Sequence, residues 1–407
     1  MTKSLYLIIS SEHNLAEYQA CICTKPSIIG IVTTNKQLES SKRLTQLLQE
    51  ALPNSKINQL TGLTGQTPEE CATWVSTTLK PWLLSHQEQT AEYALNMTGG
   101  TKILAYMITF AWQWQRIDYQ PYIQDKTSNI ESFSMQNNMP TDYSSIDLSQ
   151  SSVNPITHAR LYFETVQENK KAFNPRLLPV CDLLFDISQA KNTDHHPWWF
   201  ITKSCEDAWF TNKAKESTLI TWAELKNEFT KLPCVKAEMQ QWINIVNQHL
   251  GEEFFKIDEA GVFIPPEKHK LVKWIGGEWF EQWVEHTIKQ ANIKGLQLKH
   301  GVKINYQTED RREADMLISR EGKNLLLLEL KADFHSGKSA QEAEKQIKTL
   351  GIKLGKITQI LVILPIIREK RLTKQQWKAF EERCQKDSIK IIEIISPTML
   401  IDSLNRH

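Results

Sequence analysis

Short apolar runs alternate with longer amphipathic ones through the first ~135 residues. Leu5–Ser10 (LYLIIS) and Ser27–Thr34 (SIIGIVTT) read as buried strands, each closing in hydroxyl residues, and a polar turn follows the first. Leu38–Leu52 places leucines at helical spacing, and Pro68 opens a second helix that runs through Trp82. Tyr93–Thr98 is a third apolar strand, and Thr101–Trp114 continues as a helix. This alternation predicts an α/β, Rossmann-like parallel sheet. Such sheets take ligands beyond the carboxyl ends of their strands, so the residues just after those runs carry the interest.

Further on the pattern changes twice. Residues 126–153 are rich in Ser, Asn and Asp, with a hairpin-like strand at Ile130–Met135, and read as the end of a first domain (1–150) plus a connector. Residues 151–266 are Trp-rich, with helical stretches at Ala159–Lys171 and Ala237–Leu250, and read as a small, mostly helical spacer. From residue 267 the order becomes helix (Glu278–Lys289), strands (Gly301–Tyr306, Glu313–Ser319, Asn324–Ala332), helix (Ser339–Leu350), strand (Ile357–Leu364), helix (Thr373–Gln385) and strand (Ile389–Ile395). The expectation is a third, α/β domain over 267–407.

Composition excludes several classes. The 407 residues are 41% hydrophobic and 23% charged, an ordinary globular balance. Seven cysteines with no ligand spacing toward the 11 histidines give neither a disulfide framework nor a zinc site. The apolar start is too short for a signal peptide, and no run reaches the ~18 apolar residues of a spanning helix, so a cytoplasmic protein with no membrane partner is expected. The net charge of +1 conceals an asymmetry. Residues 267–407 hold 26 Lys+Arg against 19 Asp+Glu (+7), which leaves 22 against 28 (−6) for the rest. The C-terminal third is therefore the part suited to a phosphate backbone.

The first candidate site is Asn96-Met97-Thr98-Gly99-Gly100-Thr101-Lys102, between a strand and a helix. Adjacent glycines let the backbone approach a ligand. The helix start offers N–H donors and a partial positive charge, with Thr98, Thr101 and Lys102 adding hydroxyl and ammonium donors, so the loop is suited to an anion. The spacing is neither that of a Walker A loop nor GxGxxG. Ser10-Ser11 and Thr33-Thr34 close the other strands at the same predicted edge.

Asn-x-Thr-Gly-Gly-Thr-Lys after a strand of an N-terminal Rossmann-like domain resembles the CARF domain, the sensor of cyclic oligoadenylates in CRISPR systems. The resemblance covers roughly residues 1–140. It implies that Thr98, Gly99, Gly100, Thr101 and Lys102 contact the messenger, with Ser10 or Ser11 on the first loop. It also implies a homodimer with the messenger on its dyad, since only one copy of the unit is present.

The second candidate lies in READMLIS (Arg312–Ser319) and LLLLELKAD (Leu325–Asp333). Glu329 and Lys331, two apart, face the same side of a strand. If Arg320 pairs with Asn324 across a three-residue turn, Asp315 falls opposite Glu329. Two carboxylates so placed call for a divalent cation, and hard oxygen ligands select Mg²⁺ or Mn²⁺. Such an ion activates water and neutralises phosphate charge, and Lys331 would orient or deprotonate that water. On a helical wheel Glu281 lies at the rim of the apolar face of Glu278–Lys289, whereas Glu278 and Glu285 fall as surface charges.

Asp, then Glu-x-Lys on adjacent strands after a helix bearing Glu, resembles the PD-(D/E)XK nucleases over residues ~270–400, with Ala314 in place of the family's Pro. The resemblance implies that Asp315, Glu329 and the Leu330 carbonyl hold metal, that Lys331 is catalytic and that Glu281 assists. Gln341 and Gln346 both remain candidates for a helix glutamine. The whole layout resembles the ancillary nucleases of type III CRISPR systems, activated by cyclic oligoadenylate (cyclic tetra-adenylate as the expected ring) and cutting DNA or RNA. A metal-independent HEPN ribonuclease needs Arg and His five residues apart, and no histidine after residue 150 has such an arginine. A transcription regulator with an inert nuclease-like domain is the alternative, against which the intact Asp315, Glu329 and Lys331 stand.

Overall fold

The computed structural model describes residues 3–64, 67–120, 129–137, 139–148, 153–168, 175–189, 218–223, 235–250, 256–264, 274–305, 308–309, 311–320, 325–332, 337–355, 357–365, 367–368 and 372–406. Its strands, in chain order, are β1 (Lys3–Ile9), β2 (Ile28–Thr34), β3 (Lys56–Leu63), β4 (Thr90–Asn96), β5 (Arg116–Tyr119), β6 (Ile130–Gln136), β7 (Met139–Ile146), β8 (Val166–Glu168), β9 (Thr218–Thr221), β10 (Lys256–Ile257), β11 (Gly261–Ile264), β12 (Leu296–Ile304), β13 (Arg312–Arg320), β14 (Leu325–Lys331), β15 (Ile357–Ile363) and β16 (Ile389–Glu393). They divide between two compact units, each discontinuous in sequence. Unit 1 is Met1–Asn169, Gly295–Leu326 and Leu350–Ile357, and unit 2 is Lys170–Lys294, Leu327–Thr349 and Thr358–His407.

Unit 1 is built on a seven-stranded sheet in the order β3-β2-β1-β4-β5-β6-β7. The first five strands are parallel, and β6 and β7 add an antiparallel hairpin. Strand alternation sorts the apolar residues onto two faces. Leu5, Leu7 and Ile9 pack with Trp74, Leu104 and Ile108 on one side. Tyr6 and Ile8 pack with Tyr18, Leu44, Leu48 and Leu161 on the other. Because β1 lies between β2 and β4, strand order reverses there, and the loops leaving β1 and β4 border the crevice where such sheets bind ligands.

Several sequence expectations are corrected here. The polar stretch after β1 turns at Asn14 into a helix, Leu15–Thr24. The helix expected over Pro68–Trp82 is Pro68–Trp74 and Lys80–Ser85 joined by a π-helical turn, Val75–Leu79. The helix expected over Thr101–Trp114 is Lys102–Thr109, and Trp114 beyond its end is apolar because it fills the core at 3% exposure. The hairpin-like strand expected at Ile130–Met135 is β6, and its partner β7 falls within the stretch read as a connector. The helix expected over Ala159–Lys171 is Pro155–Tyr162, set by Pro155 at its first turn and by Asn154 Oδ1, which accepts from Thr157 N at 2.9 Å. β8 then pairs antiparallel with β12, which pairs antiparallel with β13.

Unit 2 carries β15 beside β16 in parallel, in the order β16-β15-β14, and a small antiparallel sheet, β10-β11-β9. Its helix Trp279–Gln290 is buried almost all round, with Trp279, Phe280, Gln282, Trp283, Val284, Glu285 and Ile288 inside. Trp283 stacks on Phe185 of the helix Leu178–Gln189 at 4.0 Å and 11°, and its Nε1 donates to Asp182 Oδ1 at 3.2 Å. Among the described residues no helix is long and apolar enough to cross a membrane.

Candidate functional sites

The loop Asn96–Lys102 is shaped by contacts that only glycine allows. A Cβ at Gly99 would stand 2.0 Å from the Ile9 carbonyl oxygen and 2.5 Å from Glu17 Oε1. Gly100 adopts φ +79°, the left-handed region, over the Ile9 side chain. The loop after β4 is thus pressed onto the end of β1, joining both sides of the strand-order reversal. Thr101 caps the following helix, its Oγ1 accepting from Leu104 N at 3.3 Å, and Ala105 N donates to Thr101 O at 3.0 Å. The first N–H groups of that helix have no partner within it, and they lie beside the exposed Thr101 and Lys102.

The predicted contact residues separate into two kinds. Ser11, Thr98, Gly100, Thr101 and Lys102 are half-buried or exposed. Ser10, Thr33, Asn96 and Gly99 are buried, and the polar atoms of the first three are engaged inside the protein. Thr33 Oγ1 lies 2.7 Å from Ser41 Oγ, and Ser10 Oγ donates to Asn14 Oδ1 at 3.2 Å. Asn14 also accepts from Ser11 N at 2.8 Å and donates to Ser40 O at 3.2 Å, so it fixes the loop after β1. Nothing in the sequence marks Asn14, at the end of the polar turn, or Glu17, in the first turn of the helix that follows. Glu17 is 1% exposed, its Oε2 has no hydrogen-bond partner, and burial pushes its carboxyl up to about 8.

In unit 2, the strand β14 is apolar until its end. Glu329 is 0% exposed, and Lys331 Nζ lies 2.6 Å from its Oε1. The two side chains share a face because they are two residues apart, and Leu330 between them is buried. A carboxylate that deep in the protein is tolerable only with such a partner. Glu281, on the helix Trp279–Gln290, is half-buried. Glu285, expected as a surface charge, is 9% exposed and paired with Lys289 at 2.5 Å, because the helix is covered on more than one face. Gln341 is exposed and Gln346 half-buried on the helix Gly337–Lys353. In unit 1, Asp315 is half-buried on β13 between Ala314 and Met316, both fully buried. The turn on which the pairing of Asp315 with Glu329 was argued, residues 321–324, lies outside the described residues.

Among the described residues no group of three or more His, Cys, Asp and Glu side chains is gathered as a metal site. The expected set holds only two carboxylates and a backbone carbonyl. These are hard oxygen donors, the chemistry that suits Mg²⁺ or Mn²⁺, and the buried carboxylate of Glu329 fits it.

No family model and no curated sequence matches the chain. Solved structures do. Can2 from Sulfobacillus thermosulfidooxidans, determined in complex with cyclic tetra-adenylate, superposes with a TM-score of 0.67 at 16% identity, over 99% of this chain and 96% of that one. Protein VC1899 from Vibrio cholerae gives 0.65 at 13% identity, over 99% and 96%. A type III CRISPR defence DNA nuclease activated by cyclic oligoadenylate gives 0.50 at 12% identity, over 89% of this chain and 45% of that one. The chain therefore shares a fold with these proteins over nearly its whole length.

Proposed function

We propose that the protein is a nuclease of CRISPR defence, switched on by a cyclic oligoadenylate bound at the Asn96–Lys102 loop and hydrolysing nucleic-acid phosphodiesters with a divalent metal. The observation that carries this reading is the loop itself. Gly99 and Gly100 seat it on β1 at the strand-order reversal, with a capped helix start and Lys102 facing outward. That combination suits a phosphodiester ring. The shared fold supports the reading, since Can2 was solved with cyclic tetra-adenylate.

The same reading includes a homodimer. The helix behind the loop and its C-cap Phe110 expose Ile103, Tyr106 and Phe110 at 46%, 61% and 62%, spaced along one face, with Tyr106 and Phe110 rings 4.7 Å apart. An apolar stripe of that kind beside an anion loop suits a two-fold partner that supplies the second half of a ring-shaped site.

For hydrolysis, the metal would be held by the Asp315 and Glu329 carboxylates and the Leu330 carbonyl, with Glu281 in support. Bound there, it would supply an activated water and neutralise phosphate charge. Lys331, held beside Glu329, has its ammonium at the strand end, where it would orient the water and meet the charge developing on the phosphate. The basic C-terminal third draws the nucleic-acid backbone toward it.

The test is cleavage of plasmid DNA and of labelled RNA with Mn²⁺, with and without cyclic tetra-adenylate and larger rings. Cleavage that needs both messenger and metal, and is lost in Lys331→Ala, is expected. Cleavage in Lys331→Ala equal to that of the unaltered protein would remove the nuclease assignment. Specific DNA binding without cleavage would favour the regulator.

A further inference from the structure

Each of the first three loop residues is tied to one buried network beneath the sheet edge. Tyr6 Oη donates to Asp118 Oδ2 at 2.6 Å, and Ser132 Oγ donates to Asp118 Oδ1 at 2.7 Å. Arg116 Nε donates to the same carboxylate at 3.2 Å, its guanidinium 5.5 Å from the centre of the Tyr6 ring. From Tyr6 the chain of bonds reaches the loop. Asn96 Nδ2 donates to Tyr6 Oη at 3.3 Å, and Asn96 Oδ1 accepts from Thr98 N at 2.9 Å. The backbone of β5 and of the residue after it closes the circuit. Met97 N donates to the Asp118 carbonyl at 3.0 Å, and Gln120 N donates to Thr98 Oγ1 at 2.9 Å.

Asp118 and Asn96 are fully buried and Tyr6 is 1% exposed, so none of these atoms can exchange its partner for water. A satisfied buried network resists displacement, because moving one member leaves others without partners. Asp118 is the hub: three side chains converge on its carboxylate, and its main chain holds Met97.

We infer that Asp118, acting through Tyr6 and Asn96, is the positioning residue of the messenger loop. It sets the backbone path of Asn96–Thr98, and so the placement of Gly99–Lys102, before any ligand arrives. The inference rests on the reading of that loop as the cyclic-oligoadenylate site. A loop already in its bound shape gives up less conformational freedom on binding. Loosening the network therefore weakens affinity while every ligand-facing atom is kept.

Tyr6→Phe removes one hydroxyl and preserves the ring; Asp118→Asn removes the charge. Leu63→Ala, at the far edge of the sheet on β3, is the control for general destabilisation. Two quantities are read: amide hydrogen exchange at Met97 and Thr98 without ligand, and Kd for cyclic tetra-adenylate by calorimetry. Exchange about tenfold faster at both amides, and Kd raised about tenfold, are expected in Tyr6→Phe and not in Leu63→Ala. Should Asp118→Asn fail to fold, Tyr6→Phe alone decides. Unchanged exchange in Tyr6→Phe, equal acceleration in Leu63→Ala, or faster exchange with unaltered Kd would each overturn the inference. If exchange accelerates as expected but the unaltered protein binds no cyclic oligoadenylate, the network's hold on the loop is upheld and the messenger reading of the loop falls.

Discussion

Substituting alanine for Gly99 adds one methyl group, and the structure fixes where it goes. The new Cβ would stand 2.0 Å from the Ile9 carbonyl oxygen, 3.1 Å from the Ile9 carbonyl carbon and 2.5 Å from Glu17 Oε1. Ile9 ends β1, which is bonded to β2 and β4 on either side, so the backbone there cannot retreat. The loop must lift by about 1 Å instead, since unstrained C···O contacts begin just above 3 Å. Overpacking of this kind costs about 1–3 kcal/mol, a fall in Tm of about 2–12 °C for a unit of this size. Two neighbours separate the causes. Gly100→Ala meets both a left-handed φ of +79° and the movable Ile9 side chain, whereas Gly62→Ala meets φ +84° with nothing within 4 Å. Scanning calorimetry and messenger titration on all three should rank the loss of affinity as Gly99→Ala, then Gly100→Ala, with Gly62→Ala unchanged. A Gly99→Ala protein with unaltered Tm and affinity would refute the packing of this loop onto β1.

Lys331→Ala should abolish cleavage and lower stability by about 3–5 kcal/mol in chemical denaturation, because it strands the buried Glu329 carboxylate. Glu329→Gln should lose cleavage with a smaller stability loss, and a Lys331→Ala protein as stable as the original would contradict the pairing. Unit 1 should show an opposed pH response. Glu17, raised to about 8, keeps a proton in the folded state that the unfolded chain releases above about 4.5, so its contribution falls as pH rises through that window. His158, pushed down from 6.5 to about 4 by burial, makes stability rise from about pH 4 to 6.5, so the two cancel between about 4.5 and 6.5 and a fall remains from 6.5 to about 8. At about 1.4 kcal/mol per pH unit that fall is about 2 kcal/mol, and Glu17→Gln should flatten it in thermal scans; an unchanged slope would remove Glu17 as its source. Tyr106→Asp should shift sedimentation from dimer to monomer and weaken messenger binding, and a stable dimer in this variant would dissociate the stripe from assembly.

How far the sequence reaches depends on what each signal measures. Strands buried on both faces, such as β1, β2 and β14, announce themselves as continuous apolar runs. β3 (KINQLTGL) is an edge strand with mostly exposed or half-exposed positions, so no run marks it, and four-residue β5 (RIDY) is too short for any period. The loop was legible because two adjacent glycines and a cap are local. Its support was not legible, since Tyr6 and Asp118 are 112 positions apart and meet only because β1, β4 and β5 lie side by side. The same holds for Glu285, whose wheel position suggests solvent while a second packing surface covers it.

Several buried polar residues of unit 1 sit where the loop needs to be held. Asn14 fixes the turn after β1, Asp118 and Tyr6 fix the start of the β4 loop, and Glu17 lies under Gly99. The ring of Tyr6 fills the core, but its hydroxyl and the polar groups of the other three do not help to close it, and a buried polar group costs stability unless it is bonded. Glu17 is the plainest case, because its Oε2 is left without a partner and its carboxyl is held protonated near neutral pH. Bonded polar residues set around two adjacent loops in this way keep those loops in one shape. Such a loop would suit the ring-shaped, multiply charged ligand proposed for it, whose phosphates must meet several donors at once, because a loop free to wander would forfeit that on binding.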